Sequence, residues 1–240
     1  MKICICLIGQ MRTFENEKII MSYKKYFSKI KIDLIINTWN NRGHSNHHNF
    51  NDVDDSKTNN IITEDMLIRH YSQIPFFNIT KVNINNFEEW YNNLDNDRKL
   101  IYNSIFINPS TGSVYNPKHN TSVPVEFLYQ QTISFISKDN KYDRIIIMRP
   151  DMMIVDNFRI SENDDPNTIY FQCPCTPCID HGWWSTQKTI MEHLGDIFDN
   201  YLKNKEESNS TDNNVLLHYQ ASKKNIKINA YPTTLFKQIL

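Results

Sequence analysis

The chain has 240 residues, 40% hydrophobic and 22% charged, ordinary proportions for a globular protein and enough for one sizeable α/β domain. A balance of 26 basic against 27 acidic residues gives a net charge of −1. That speaks against a nucleic-acid binder working through a general basic surface, while allowing a local basic pocket for a small anion. No apolar run reaches the roughly 18–20 residues that span a bilayer, so no transmembrane segment is expected.

The chain opens with KICICLI, a short apolar run at 2–8, followed by the polar stretch GQMRTFE. No small-residue cleavage site follows, so the opening reads as a first strand and its loop rather than a signal peptide. The cysteines number five, an odd count, and Cys4 and Cys6 lie inside that strand. This usage points to a reducing compartment without a disulfide framework, hence a cytoplasmic protein.

Ile19, Ile20, Tyr23, Tyr26, Phe27 and Ile30 fall at helical spacing, and IDLIINTW at 32–39 reads as a second buried strand. A β-α-β opening with continuous apolar strands predicts an α/β fold, a mainly parallel sheet with helices on both faces. Residues 40–60 hold almost no apolar side chain and read as an exposed, mobile loop within a single domain spanning 1–240. Its His44, His47 and His48 lack a carboxylate or cysteine spaced to complete a metal site.

Thr63 caps a short helix in TEDMLIRHY, whose first turn is acidic. A third strand is expected at TKVNI and a short helix at NFEEWYNNL. Residues 96–122 carry turn signals and resist assignment. Helical spacing returns over 123–136 and leads into YDRIIIMRPDMMIVDNF at 142–158, where Arg149, Pro150 and Asp151 interrupt an apolar run. A strand at TIYFQ, a cysteine-rich turn, a helix over 186–202, a linker KNKEESNST, a helix from Asp212 and a last strand at IKINAY complete the chain.

Ligands of an open parallel sheet bind beyond the carboxyl ends of its strands. GQMR, NTWN and RPD all sit at such ends, and their coincidence carries more than any one alone. Arg12 and Arg149 suit bidentate contacts to phosphates, and Asp151 suits a divalent cation bridging a diphosphate. For an isolated Arg-Pro-Asp, a turn-stabilising ion pair is the plainer reading. A carboxylate between two apolar runs is nonetheless expensive to desolvate.

The order GQMR, DLIINTWN, KYDRIIIMRPDMMI, DHGWWSTQKTIMEHLGDIFDNY and TDNNVLLHYQASKKNIKI resembles the GT-A-type nucleotide-sugar-dependent glycosyltransferases of bacterial surface-polysaccharide clusters and large DNA viruses. The Asn-, Ile- and Lys-rich composition fits the AT-rich genomes of such sources; a viral protein would act in the host cytoplasm. The resemblance covers most of the chain except 40–120. It implies a GT-A-like (Rossmann-like) sheet and transfer of a hexosyl or deoxyhexosyl group from a nucleotide-sugar donor to the hydroxyl of a glycan acceptor, in polysaccharide synthesis. In that fold a D-x-D motif holds the metal. Here arginine replaces the first acid, so Asp151 alone carries over, with Mn²⁺ or Mg²⁺ held weakly. Gly9, Gln10, Arg12, Thr38, Arg149 and Asp151 are then the expected donor and metal contacts.

CPCTPCIDHGWWS at 173–185 has two readings. Cys173, Cys175, Cys178 and His181 are suitable zinc ligands, although their spacing is compact and no distant pair completes them. The preferred reading is a loop beside the sugar cleft, with Asp180 as the catalytic base. Trp183 and Trp184 would offer flat faces to a sugar, unless they pack in the core. A catalytically silent GT-A-shaped binding protein and a zinc-stabilised interaction protein are the alternatives.

Overall fold

β1 (Ile3–Ile8) is buried along its whole length, which a strand achieves only when both faces of its sheet are covered. Its side chains alternate between two cores. Ile3, Ile5 and Leu7 join Tyr23 and Phe27 of α1 (Glu17–Phe27), and Leu67 and Tyr71 of α2 (Glu64–Tyr71). Cys4, Cys6 and Ile8 join a larger core on the opposite face. Its helices are α3 (Phe87–Asn93), α4 (Asn96–Asn103), α5 (Val123–Phe135), α6 (Gln187–Leu194), α7 (Tyr201–Ser208) and α8 (Asn213–Lys223). Cys4 and Cys6 are free thiols, their sulfurs 3.9 Å apart.

The computed structural model describes residues 1–27, 30–41, 61–103, 106–107, 114–115, 123–136, 141–155, 160–172, 182–210, 212–231 and 236–238. Most of the expected loop at 40–60 therefore lies outside the described residues. At its base Asn41 and Ile61 form an antiparallel bridge, and the Ile62 amide donates to the Asn40 carbonyl at 2.8 Å.

The remaining strands are β2 (Ile32–Trp39), β3 (Phe77–Asn85), β4 (Phe106–Ile107), β5 (Val114–Tyr115), β6 (Arg144–Met148), β7 (Met152–Ile154), β8 (Thr168–Gln172), β9 (Gly182–Ser185), β10 (Lys227–Tyr231) and β11 (Phe236–Gln238). Six of them join β1 in the seven-stranded central sheet, in the order β10-β8-β9-β6-β1-β2-β3. All neighbours are parallel except β9, which runs antiparallel to both β6 and β8. This is the mainly parallel α/β sheet expected, with helices on both faces. Caps mark several helix starts: Thr63 accepts from the Met66 amide at 3.3 Å, and Asp212 from those of Asn214 and Val215. Among the described residues no helix is long and apolar enough to cross a membrane.

Three local expectations need correction. GWWS is not a cleft loop but β9, the antiparallel strand inserted between β6 and β8. Both tryptophans are fully buried, Trp183 in one core and Trp184 in the other, as successive residues of a strand must be. They cannot present faces to a sugar. The helix expected over 186–202 stops at Gly195, whose amide donates to the Met191 carbonyl at 2.9 Å. A Cβ there would come within 2.6 Å of that carbonyl oxygen, so only glycine fits without a shift. The segment KNKEESNST is not a linker throughout, because its first residues lie in α7.

A candidate anion site at the ends of β1 and β6

In chain order β1 is followed, through α1, by β2 on one side, while β6 lies on its other side. The direction in which the sheet is built thus reverses at the β1–β6 boundary, where open α/β sheets leave a crevice beyond their carboxyl ends. The chain leaves β1 through Gly9 at φ +118°, a conformation that L side chains rarely adopt. A Cβ there would lie 3.9 Å from Pro150 Cδ, an ordinary contact, so the backbone angle rather than crowding demands glycine. β2 fixes this exit. The Gly9 amide donates to the Asn37 carbonyl at 3.2 Å, and the Thr38 hydroxyl donates to the Gly9 carbonyl at 2.7 Å.

On the neighbouring strand, Arg149-Pro150-Asp151 turns the chain from β6 into β7. The Met152 amide closes that turn on the Arg149 carbonyl at 3.3 Å, while Pro150 has no amide proton to place. β7 leaves the main sheet and pairs antiparallel with β11. The interruption of the apolar run is thus the point where the chain changes sheets.

Arg149 and Asp151 form a two-pronged pair within this turn. Arg149 Nε donates to Asp151 Oδ1 at 3.0 Å, and Nη2 to Oδ2 at 2.7 Å. Arg12 reaches the same carboxylate from the β1 loop, its Nη1 3.6 Å from Oδ2, while its Nε donates to Gln10 Oε1 at 3.2 Å. The Asp151 side chain is 2% exposed, whereas those of Arg12 and Arg149 are 14% and 17% exposed. The carboxylate is the most enclosed member of the group, and the two arginine side chains are largely buried with a small exposed fraction.

Two tyrosines adjoin this cluster. Tyr23 donates from its hydroxyl to the Met152 carbonyl at 3.1 Å. Burial pushes its hydroxyl pKa well up, and the Asp151 charge adds to the effect. The Tyr71 hydroxyl, fully buried, is raised by burial and then by Tyr23 and Asp151. It has no hydrogen-bond partner among the described residues.

Gly9, Gln10, Arg12, Arg149 and Asp151 are therefore brought together as the sequence suggests. Thr38 is fully buried behind Gly9 and shapes the loop rather than facing the crevice. Asp180 lies outside the described residues, as do Cys173, Cys175, Cys178 and His181. A divalent cation does not fit Asp151 as arranged. Both carboxylate oxygens accept from Arg149, the side chain is enclosed, and a second guanidinium stands beside it. Metal ligands need accessible oxygens and tolerate no such crowd of positive charge. Among the described residues no three His, Cys, Asp or Glu side chains are grouped to hold a metal.

A second polar cluster at the ends of β2 and β3 was not foreseen beyond the polar character of NTWN. Asn37 Nδ2 donates to the Leu128 carbonyl and to Thr132 Oγ1, each at 2.9 Å. Its Oδ1 accepts from Asn83 Nδ2 at 3.0 Å and from Asn85 Nδ2 at 2.9 Å. Gln131 closes the ring, accepting from Asn83 at 3.2 Å and donating to Asn85 Oδ1 at 3.0 Å. The asparagines at alternate positions of β3 were the available signal, since such residues share one face of a strand.

No family model matches the chain, and no curated protein matches it. Among the solved structures that it matches is the galactosyltransferase LgtC in complex with donor and acceptor sugar analogs. The identity is 8%, the match covers 96% of this chain and 73% of that one, and the TM-score is 0.46.

Proposed function

We propose that the chain is a glycosyltransferase that moves a hexosyl or deoxyhexosyl group from a nucleoside-diphosphate sugar to a hydroxyl of a glycan acceptor, in polysaccharide synthesis. One observation carries this reading: Arg12 and Arg149 converge beside the Gly9 turn at the switch point of a mainly parallel sheet. Guanidiniums there suit a diphosphate, because their planar donor sets match phosphate oxygens.

In the transfer, the bond from the anomeric carbon to the diphosphate oxygen breaks and its electron pair stays with the leaving diphosphate. The anomeric carbon becomes oxocarbenium-like and bonds to the acceptor oxygen, whose proton passes to a base. Arg12 and Arg149 would stabilise the charge that grows on the leaving group. Gln10 would keep Arg12 oriented, and the Thr38 hydroxyl would hold the Gly9 loop. For an inverting reaction the sequence offers Asp180 as the base.

A thermal-shift panel of uridine, guanosine, adenosine and cytidine diphosphates, followed by hydrolysis assays with the matching nucleotide sugars, tests this. Stabilisation by one base class together with release of free diphosphate is expected. A second reading, donor binding without turnover, is favoured by the enclosure of Asp151, and stabilisation without hydrolysis or transfer would select it. No stabilisation by any diphosphate, with about one zinc per chain, would replace both by a zinc-stabilised interaction protein.

A further inference from the structure

We propose that Arg12 and Arg149, braced by Asp151, form a diphosphate site that works without a divalent cation, with Asp151 a positioning residue and not a metal ligand. This deepens the donor-binding reading above and rests on it. The Asp151 carboxylate is buried at the end of β6 and holds Arg149 by two parallel hydrogen bonds. Such a fork fixes the plane of the guanidinium as well as its place. The same oxygen that accepts from Arg149 Nη2 faces Arg12 Nη1 at 3.6 Å, so one carboxylate sets both cations at neighbouring points of the sheet edge.

Arg12 has a further support in its own loop. Gln10 Oε1 accepts from Arg12 Nε, so Arg12 is fixed from its own loop as well as through Asp151. Each arginine side chain keeps a small exposed fraction, whereas that of their shared partner is enclosed. An anion in the crevice thus meets the guanidiniums first. A cation drawn toward Asp151 would have to pass them and break the fork, with like-charge repulsion at both steps. The work of a bridging metal, gathering phosphate oxygens and neutralising their charge, falls to side chains already in place.

The site also explains why this turn takes arginine rather than lysine. A lysine ammonium is a point charge that cannot make two parallel bonds to one carboxylate. Arg149→Lys preserves the net charge and removes the fork, so it separates a positioned guanidinium from a mere positive potential.

The test uses the full chain and titrates inorganic pyrophosphate, then the four nucleoside diphosphates, by calorimetry in excess EDTA and in excess Mn²⁺. Free Mn²⁺ is followed in parallel by its paramagnetic resonance signal. The expected result is an affinity in EDTA within about twofold of that in Mn²⁺, with no Mn²⁺ taken up by the protein alone. Arg149→Lys and Arg12→Gln should each weaken binding about tenfold or more in both conditions. The comparison on the parent protein needs no variant, so a variant that fails to fold leaves the test intact. Binding seen only with Mn²⁺, and abolished by Asp151→Asn in protein that remains folded, would overturn the inference while the donor-binding reading stood. Absence of binding in both conditions would overturn the two together.

Discussion

The carboxyl ends of the parallel strands hold two buried polar clusters, built on opposite principles. At β2–β3 the cluster is neutral and closes on itself: Asn37 uses its two amide protons and accepts from two neighbouring amides, and Gln131 completes the ring. At β1–β6 it is ionic and layered, a carboxylate more enclosed than the two arginine side chains around it. A neutral network with its central residue satisfied gains nothing from a ligand and works as a lock between β2, β3 and α5. A layered ionic cluster keeps directional charge at the surface, where an anion can meet it. Buried polarity therefore does not mark a site by itself; the direction in which it opens does.

The largest effect is expected where the lock is broken. Asn37→Leu leaves the ring amides of Asn83 and Asn85 without their central acceptor and places an apolar group against them. The cost is about 4 kcal/mol, on the scale of several lost buried hydrogen bonds. For a chain of this size that lowers Tm by roughly 10 °C. Pyrophosphate affinity of the folded fraction should stay unchanged; a parallel loss of affinity would mean that the two clusters act as one.

Asp151→Asn comes next, at about 3 kcal/mol and roughly 8 °C in Tm, because one partner of an enclosed ion pair is removed while the arginines keep some access to water. A melting curve gives the stability term. The ratio of pyrophosphate affinities in Mn²⁺ and EDTA should remain near its parent value, since no metal contact is lost. A large change in that ratio would move the ionic cluster into the class of metal sites.

A buried histidine outside both clusters responds to acid. His193, on α6, is fully buried against Trp183, and neither ring nitrogen has a partner among the described residues. Burial lowers its pKa to about 3, helped by the charges of Lys224 and His218 and opposed by Asp196. The unfolded chain therefore binds a proton that the folded chain refuses. Stability is intact above the ordinary histidine pKa of about 6.5 and falls as the pH drops from there toward 3, approaching about 1.4 kcal/mol per pH unit. His193→Phe should flatten that slope in melts taken from neutral to acid pH. An unchanged slope would assign the acid response elsewhere, and comparisons of the two clusters belong above pH 6.5 in either case.

Much of this was legible in the sequence where side-chain period and burial coincide. KICICLI, IDLIINTW and RIIIM read as strands because an internal parallel strand is apolar on both faces, and the helices between them show regular stripes. The convergence of Gly9, Arg12 and Arg149 followed from strand-end position alone. What escaped was decided by distant partners. GWWS has too few residues to show a period, and becomes a strand only because β6 and β8 leave a gap for it. Asp151 reads as a metal ligand from its motif position; the Arg149–Asp151 ion pair, the plainer reading of an isolated Arg-Pro-Asp, forms, and what only the fold shows is Arg12 reaching the same carboxylate from a separate loop. Thr38 looked like a ligand contact for the same reason: it ends a strand, yet its hydroxyl turns inward.

That inward hydroxyl supplies the smallest and sharpest comparison. Thr38 stands where the clusters adjoin, one residue after Asn37 of the lock, and donates to the carbonyl of Gly9 in the anion loop at 2.7 Å. Thr38→Val keeps the shape and removes the hydroxyl, leaving the Gly9 carbonyl without that donor, at about 1 kcal/mol of stability. Gly9 would then be tied to β2 by its amide alone, on the Asn37 carbonyl. Its positive-φ exit would have more freedom, and Arg12 would have to be gathered from a wider range of positions before meeting an anion. A loss of about threefold in pyrophosphate affinity is the expected size, equivalent to a fraction of a kcal/mol. Calorimetry at neutral pH resolves that difference. If Thr38→Val loses stability but binds pyrophosphate as the parent does, the loop is set by Gly9 and the Arg12–Asp151 contact, and the lock contributes nothing to the site. If affinity falls while the Mn²⁺-to-EDTA ratio holds, the lock braces the loop that carries the charge.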